Sequence, residues 1–234
     1  MDEYSTMARN RIMTTAARHY AERKYTAVHL SDISDDLNVD RAVVKQFFPT
    51  REDLLTALID SFLQNIEDIL TTFVDSALLP AIKDGALEIR NDRFHFANPQ
   101  RAAVFSDHVV DHLDAIFDYL LVHSDDYLLF VQESYMLGAH SGCLEKLLRL
   151  FLPVEENPLF IKRELPGIRL SPQEQVSFVQ TIVFPILGYA LFKVNLDQLS
   201  QHCAETHKQT ILGDIRGIIS RHTIGQDILF AREK

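Results

Sequence analysis

The clearest pattern of apolar and polar residues runs from Leu30 to Leu55, in the segment LSDISDDLNVDRAVVKQFFPTREDLL. Leu30, Ile33 and Leu37 recur at the spacing of one helical face, with polar residues between them. After a break of three residues, a second short apolar stripe follows in RAVVKQFF. The pattern predicts two short helices separated by a tight turn, and a third helix that starts near Thr50.

Residues with strong local preferences mark where these helices begin and end. Asn38 tolerates the left-handed backbone of a tight turn, so the first helix should end there. Asp40 can accept hydrogen bonds from the free amides of the next helix. Pro49 ends that helix, because proline disfavours helical backbone in the residue before it. Thr50 then caps the following helix, with Asp53 as the partner in a short capping box.

Two further helices flank this segment. Ile12, Ala16 and Tyr20 lie at i, i+4 and i+8, which predicts a helix before it. The run LLTALIDSFLQNIEDIL predicts a long helix that joins the N-terminal part to the rest of the chain. We therefore predict an all-α protein, with a three-helix helix-turn-helix domain at residues 1–55 and a larger helical domain at residues 56–234.

The larger domain is predicted to be helical between loops. The polar stretch at 83–100 is predicted to connect two helices, and four prolines within 153–172 predict a loop. Helices are predicted at 101–123, 125–139, 142–152, 172–194 and 199–220. The helix at 172–194 is apolar nearly all round, which is typical of a helix buried on more than one side.

Charge and cysteine content narrow the class of protein. The chain of 234 residues carries a formal charge of −10, with −1 on the first 55 residues and −9 on the rest. Acid concentrated in the second domain is expected if only the first approaches phosphate. Cys143 and Cys203 are too few for a disulfide framework and fit a reducing cytoplasm. No apolar run approaches the ~20 residues that span a bilayer, so no membrane association is expected.

From about Ala8 to Leu55 the chain resembles the DNA-binding domain of the TetR family of bacterial transcriptional regulators. The resemblance covers about a fifth of the chain, without insertion. It rests on Ile12, Ala16, Ala17, Tyr25, Asp32, Ile33, Val39, Phe48, Arg51, Glu52, Leu54 and Leu55. The chain departs from the family at Lys24 and Asn38, where glycine is usual, and at Lys45, where tyrosine is usual.

The resemblance implies a homodimeric repressor that a small-molecule effector releases from a palindromic operator in double-stranded DNA. The dimer would form through the helices at about 172–194 and 199–220. The effector would enter a pocket among the helices of the second domain, and the coupling would act through the long helix after Thr50. Expected ligand contacts are Phe117, Tyr127, Phe130 and Tyr135, and the alternative, which is favoured for any single one of them, is that it is only a core residue.

The expected DNA contacts lie on the second helix of the motif and at the start of the next. Arg or Lys can read guanine and Gln can read adenine, while a methyl group can contact thymine. Exposed amides and a cation at a helix start suit a phosphate. These expectations name Arg41, Ala42, Lys45, Gln46, Thr50 and Arg51. The alternative is that they are ordinary solvated positions.

Other functions have less support in the sequence. No phosphate loop, zinc-finger spacing or nucleophile motif is present, so neither an enzyme nor a cofactor is expected. His108 and His112 lie at i, i+4 and could hold a metal, but such spacing is common by chance among ten histidines, and no metal site is assigned. The open alternative is a helical interaction protein with a degenerate helix-turn-helix, which Asp35 and Asp36 on the first helix of the motif favour.

Overall fold

The structure, a computed structural model, describes residues 3–23, 25–90, 93–136, 138–200 and 204–223. Cys203 lies outside these ranges. Apart from two short strands and the connecting loops, the described chain is helical, and the predicted all-α class is confirmed. The α-helices are α1 Glu3–Glu22, α2 Leu30–Leu37, α3 Arg41–Phe47, α4 Arg51–Phe73, α5 Leu79–Lys83, α6 Pro99–Val122, α7 Ser124–Tyr135, α8 Cys143–Phe151, α9 Pro158–Ile161, α10 Pro172–Phe178, α11 Phe184–Ser200 and α12 Ala204–Thr223.

The described chain divides into two compact units. The first unit holds the residues through Asn65 together with His123–Leu144, and the second holds Ile66–Val122 and the residues from Glu145 onward. Helix α4 contributes residues to both units. These two units are defined by how densely their residues contact one another. The boundary expected near residue 55 separates a DNA-binding from a ligand-binding part, and it stays a prediction.

The core of the first unit joins α7 to the helix-turn-helix motif. Helix α1 packs against both α2 and α7. The Phe62 ring of α4 lies 4.7 Å from the Phe130 ring and 5.9 Å from the Tyr127 ring of α7, measured between centroids. These three side chains are almost fully buried, so they stabilise the unit by removing large aromatic surfaces from water.

The polar stretch at 83–100 contains a β-hairpin, and the prediction of a plain connection was wrong. Strand β1 (Leu87–Arg90) pairs antiparallel with β2 (Arg93–Phe96), with Leu87 opposite Phe96. Leu87, Phe94 and Phe96 are buried, while the residues that alternate with them are more exposed. The sequence signal was present: two short alternating runs, LEIR and RFHF, are separated by two residues.

The proline-containing segment at 153–172 is an ordered loop that includes α9. A parallel bridge joins Val154 to Ile168, and the backbone passes so close to Gly167 that an added Cβ would lie 2.1 Å from the Glu155 amide nitrogen. Asn157 is buried inside the loop and bonds three backbone groups. The bonds of Asn157 and the close approach at Gly167 hold the loop in one shape.

Two helical stretches contain a π turn, a single turn with wider i→i+5 spacing. The first π turn, Val74–Leu78, lies between α4 and α5. The second π turn, Val179–Val183, joins α10 to α11, so the helix predicted at 172–194 extends to Ser200. Accordingly α12 starts at Ala204, five residues later than the start predicted at 199.

The stretch Pro172–Lys193 is, by length and composition alone, apolar enough to cross a membrane, which the sequence analysis did not expect. Polar residues interrupt the apolar run and conceal its length. Buried helices of soluble proteins meet the same criterion, so it is weak evidence of a membrane span. Only 39% of its most apolar window is buried, and Val176, Phe184 and Phe192 are about half exposed. The single chain therefore leaves an apolar face of this helix uncovered.

Candidate nucleic-acid interface and ligand cavity

The turn between α2 and α3 has the geometry that its sequence predicts. Asn38 adopts the left-handed conformation, with φ 53° and ψ 47°, and its N–H donates to the carbonyls that end α2. The Asp40 carboxylate accepts from the Ala42 N–H at 2.7 Å. At the start of α2, the Asp32 carboxylate accepts from the His29 N–H at 2.8 Å. The bonds of Asn38 and Asp40 fix the turn between α2 and α3, and the bond of Asp32 caps the start of α2.

The start of α4 contains the predicted capping pair and one contact that the sequence did not indicate. The Asp53 carboxylate accepts from the Thr50 N–H at 3.0 Å and from its hydroxyl at 2.7 Å. The Arg51 guanidinium donates to the carbonyls of Thr26 and Val28, at 3.1 and 3.4 Å. Arg51 therefore ties the segment before α2 to α4, and it is less free to reach a phosphate than an extended side chain.

Helix α3 presents a polar face to solvent. Four of the predicted DNA contacts lie together on this short helix, and all are exposed: Arg41, Ala42, Lys45 and Gln46. Val44 and Phe48 are buried and fix α3 against the rest of the first unit. Val43 is 39% exposed although the sequence pattern assigned it to the apolar face. Its methyl groups add an apolar element to the exposed surface.

Part of the acid on α2 is neutralised within the first unit. The Asp36 carboxylate lies 2.5 Å from an Arg18 guanidinium nitrogen and 3.2 Å from Nε2 of His19. Both partners are on α1, so the pair joins α1 to α2. Asp35 is exposed. The motif therefore presents less negative charge than a count of its residues suggests, because an adjacent guanidinium offsets the Asp36 charge at neutral pH.

The second unit contains a cavity with a volume of about 750 Å³, which includes its open mouth. Among the lining residues that the structure describes, all are apolar except His112. They are Leu70, Phe73, Leu78, Phe94, Phe105, Val109, His112, Leu113, Ile116, Phe151, Pro153, Phe160, Phe178, Ile182 and Ile219.

None of the four predicted ligand contacts lines this cavity. Phe117 is buried in the second unit, where its ring centroid lies 5.4 Å from that of Tyr189. Tyr127 and Phe130 pack against Phe62 in the first unit, and burial raises the pKa of the Tyr127 hydroxyl far above its usual value. Tyr135 is 73% exposed. The structure therefore does not bring the four side chains together.

The histidine pair on α6 is engaged in a local bond. Nδ1 of His112 lies 2.8 Å from the backbone carbonyl of His108. Within the described residues, no group of three or more His, Cys, Asp or Glu side chains is placed to hold a metal ion. His112 instead lies at the cavity, where its ring meets the Phe73 ring edge-on at 5.1 Å.

A charged cluster joins α6 to α12 in the second unit. Lys208 is 5% exposed, and its ammonium group lies within 2.6 Å of both the Asp114 and Asp118 carboxylates. Its pKa is raised, because the two carboxylates outweigh the opposing effect of burial. The Arg216 guanidinium pairs with Asp107 on the same two helices at 2.6 Å. Helix α6, which supplies five cavity residues, is therefore held firmly to α12.

Comparison with known proteins bears on the fold. No protein-family model matches the chain, and no curated protein matches it in sequence. A crystal structure of a TetR transcriptional regulator from Legionella pneumophila is similar, with a TM-score of 0.53 and 17% identity. The match covers 92% of this chain and 96% of that one, so it extends well beyond the helix-turn-helix segment. The chain therefore has the fold of a TetR transcriptional regulator.

Proposed function

We propose that the protein is a TetR-like dimeric transcriptional regulator, and more specifically a repressor that a small molecule releases from a palindromic operator in the cytoplasm. In this proposal, residues 1–55 bind DNA, and residues 56–234 bind ligand and form the dimer. The observation that carries the proposal is helix α3. It is a short helix with a capped start and a buried apolar side, and its other side exposes Arg41, Lys45 and Gln46.

The exposed face of α3 offers the chemistry of a base-reading helix. Arg41 and Lys45 supply donors for guanine, and Gln46 can pair with adenine through its amide. Ala42 and Val43 supply methyl groups for thymine. Amides at a helix start suit a backbone phosphate, but here a phosphate would compete with the Asp53 carboxylate that already accepts from the Thr50 N–H. We assign Arg51 a positioning role: its guanidinium donates to two backbone carbonyls before α2 and so ties that segment to α4.

Dimerisation is supported by the uncovered face of α10 and α11. Phe184, Phe192 and Leu196 are exposed at a spacing of eight and four residues, which places them on one side of α11. A row of exposed apolar side chains is costly in water and is typical of a surface that a partner covers. A second copy of the chain would cover it with the same face and bring two α3 helices to a two-fold symmetric site.

The cavity supports ligand control because of the helices that line it. Leu70 and Phe73 come from α4, the helix that continues from the first unit, and Phe178 and Ile182 belong to the stretch with the proposed dimer face. A ligand therefore contacts both elements that would set the spacing of the DNA-reading helices. A preference of the ligand for one arrangement would change the affinity for the operator.

The alternative is an interaction protein with a degenerate helix-turn-helix. The exposed Asp35 favours it, because a carboxylate repels phosphate. The Arg18–Asp36 pair weakens it, since that acid is already neutralised.

Selection from random double-stranded DNA tests the proposal. Wild-type protein should enrich a palindrome with half-sites about one helical turn apart, roughly 34–36 Å. The variant Arg41→Ala/Lys45→Ala should fail to enrich it. A matched control is Lys83→Ala/Arg101→Ala, which removes two exposed charges from the second unit and should leave enrichment intact.

The dependence of DNA affinity on salt concentration separates contacts with bases from electrostatic attraction to phosphates. Each lost phosphate contact should reduce the slope of log affinity against log salt by about 0.9. If folded, dimeric wild-type protein enriches no sequence, the regulator proposal fails and the interaction protein is favoured. If the charge control fails as badly as the α3 variant, binding is electrostatic and not base-specific.

A further inference from the structure

The cavity of the second unit has an unusual wall, from which the chemistry of its ligand can be inferred. Six phenylalanines and eight aliphatic or proline side chains surround a single polar side chain, that of His112. We propose that the cavity takes an uncharged, mainly aromatic hydrocarbon with one hydroxyl group, and that this hydroxyl donates its hydrogen bond to Nε2 of His112. That this ligand acts as an effector rests on the proposed function.

The wall excludes a charged ligand. No Lys, Arg, Asp or Glu is among the described lining residues. A carboxylate or ammonium group moved there from water would lose its hydration, which is costly, and a carboxylate could gain an ionic partner only if the His112 imidazole took up a proton. An uncharged hydrocarbon has no such loss, and its removal from water is favourable. The same skeleton should therefore bind as a phenol and be rejected as a carboxylate.

The hydrogen-bond geometry of His112 specifies the type of polar group. A carbonyl oxygen can only accept, so the contact with the His108 carbonyl places a proton on Nδ1. In the neutral ring, Nε2 is then an acceptor. The contact with Phe73 holds the plane of the imidazole. A ligand hydroxyl can donate to this nitrogen, whereas the corresponding methyl ether has no proton to donate.

The backbone around the cavity favours a binding site over a defect in packing. Leu78 of the first π turn and Ile182 of the second both line the cavity. Isolated π turns are found frequently at functional sites, because the extra residue displaces the side chains that follow. Two such turns, from stretches about a hundred residues apart, border the same space. The phenylalanine rings offer edge and face contacts to an aromatic ligand.

Calorimetry with three related compounds tests the inference without DNA. The probes are 4-butylphenol, 4-butylanisole and 4-butylbenzoate at pH 7. The phenol should bind best, and loss of one neutral hydrogen bond should weaken the anisole about threefold to tenfold. The benzoate should bind more weakly than either. His112→Phe should abolish the preference for phenol over anisole, and His108→Ala, an exposed control that keeps the carbonyl, should retain it.

Three results would overturn the inference: benzoate binding as tightly as phenol, a preference for phenol that survives His112→Phe, or no binding of any probe to folded protein. The comparison of probes on wild-type protein stands even if His112→Phe does not fold. Operator affinity is measured separately. Phenol binding with the expected preference but unchanged operator affinity would support the site and contradict ligand release. Release of DNA by compounds that show no such preference would overturn the site alone.

Discussion

Asn157 should be among the most sensitive residues of the second unit, although it is polar and lies in a loop. Its side chain is 1% exposed. The amide Nδ2 donates to the carbonyls of Leu150 and Leu152, at 3.0 and 2.7 Å, and Oδ1 accepts from the Leu159 N–H at 2.8 Å. Asn157→Ala would remove all three bonds and leave three buried backbone groups without these partners.

The expected cost follows from those three bonds. A buried hydrogen bond contributes about 0.5–1.5 kcal/mol net, so the variant should lose roughly 2–4 kcal/mol of unfolding free energy. For a chain of this size, each kcal/mol lowers Tm by about 2–4 °C. The expected decrease in Tm is therefore roughly 6–12 °C for a loss near 3 kcal/mol. Binding of 4-butylphenol should also weaken, because this loop carries Pro153 and Phe160 of the cavity wall.

Differential scanning calorimetry and urea titration would measure the loss, with Asn98→Ala as the matched control. Asn98 is exposed and accepts one bond, from the Arg101 N–H at 2.9 Å at the start of α6. Loss of an exposed cap should cost about 1 kcal/mol. If Asn157→Ala costs no more than Asn98→Ala, the three bonds do not hold the loop and the reasoning is refuted.

Three further predictions concern packing, pH and assembly. Gly167→Ala should destabilise by about 1–3 kcal/mol in urea titration, because the new Cβ would overlap the Glu155 backbone. The Arg163 guanidinium, hydrogen-bonded to Asp75 in the first π turn, lowers the pKa of that carboxyl below its usual value. The pair should stabilise the fold above about pH 4 and lose its effect as the pH falls below that value. Phe192→Asp should convert the proposed dimer to monomers in analytical ultracentrifugation.

Each of these predictions has a control within the chain. Gly142→Ala, where an added Cβ meets nothing within 4 Å, should be nearly neutral, and an equal loss there would contradict the Gly167 argument. Asp75→Asn should remove the loss of unfolding free energy that the Arg163–Asp75 pair causes as the pH falls below about 4. If that loss persists in the variant, another titratable group causes it. Val122→Asp changes another apolar residue, which is 77% exposed, and should leave the proposed dimer intact.

Features formed within a few residues were predictable from the sequence. The turn at Asn38 and the caps at Asp40, Thr50 and Ser171 depend on bonds between residues two to four apart. Their residue types already favour the observed backbone. The hairpin also had a local signal, but the polar residues around its short strands were interpreted as a connection.

The cavity and the long-range pairs were decided only by tertiary structure. Arg18 and Asp36 are 18 positions apart, and Lys208 and Asp118 are 90 apart, so neither pair fits within the roughly 11–18-residue windows in which apolar periodicity is read. The cavity wall takes five residues from α6 and one or two from each of several other elements between α4 and α12. Apolar periodicity shows that a residue is buried but not which element it meets. For that reason the sequence alone determined an all-α fold with a helix-turn-helix motif, while packing decided that His112, and not the four predicted aromatic residues, lies at the cavity.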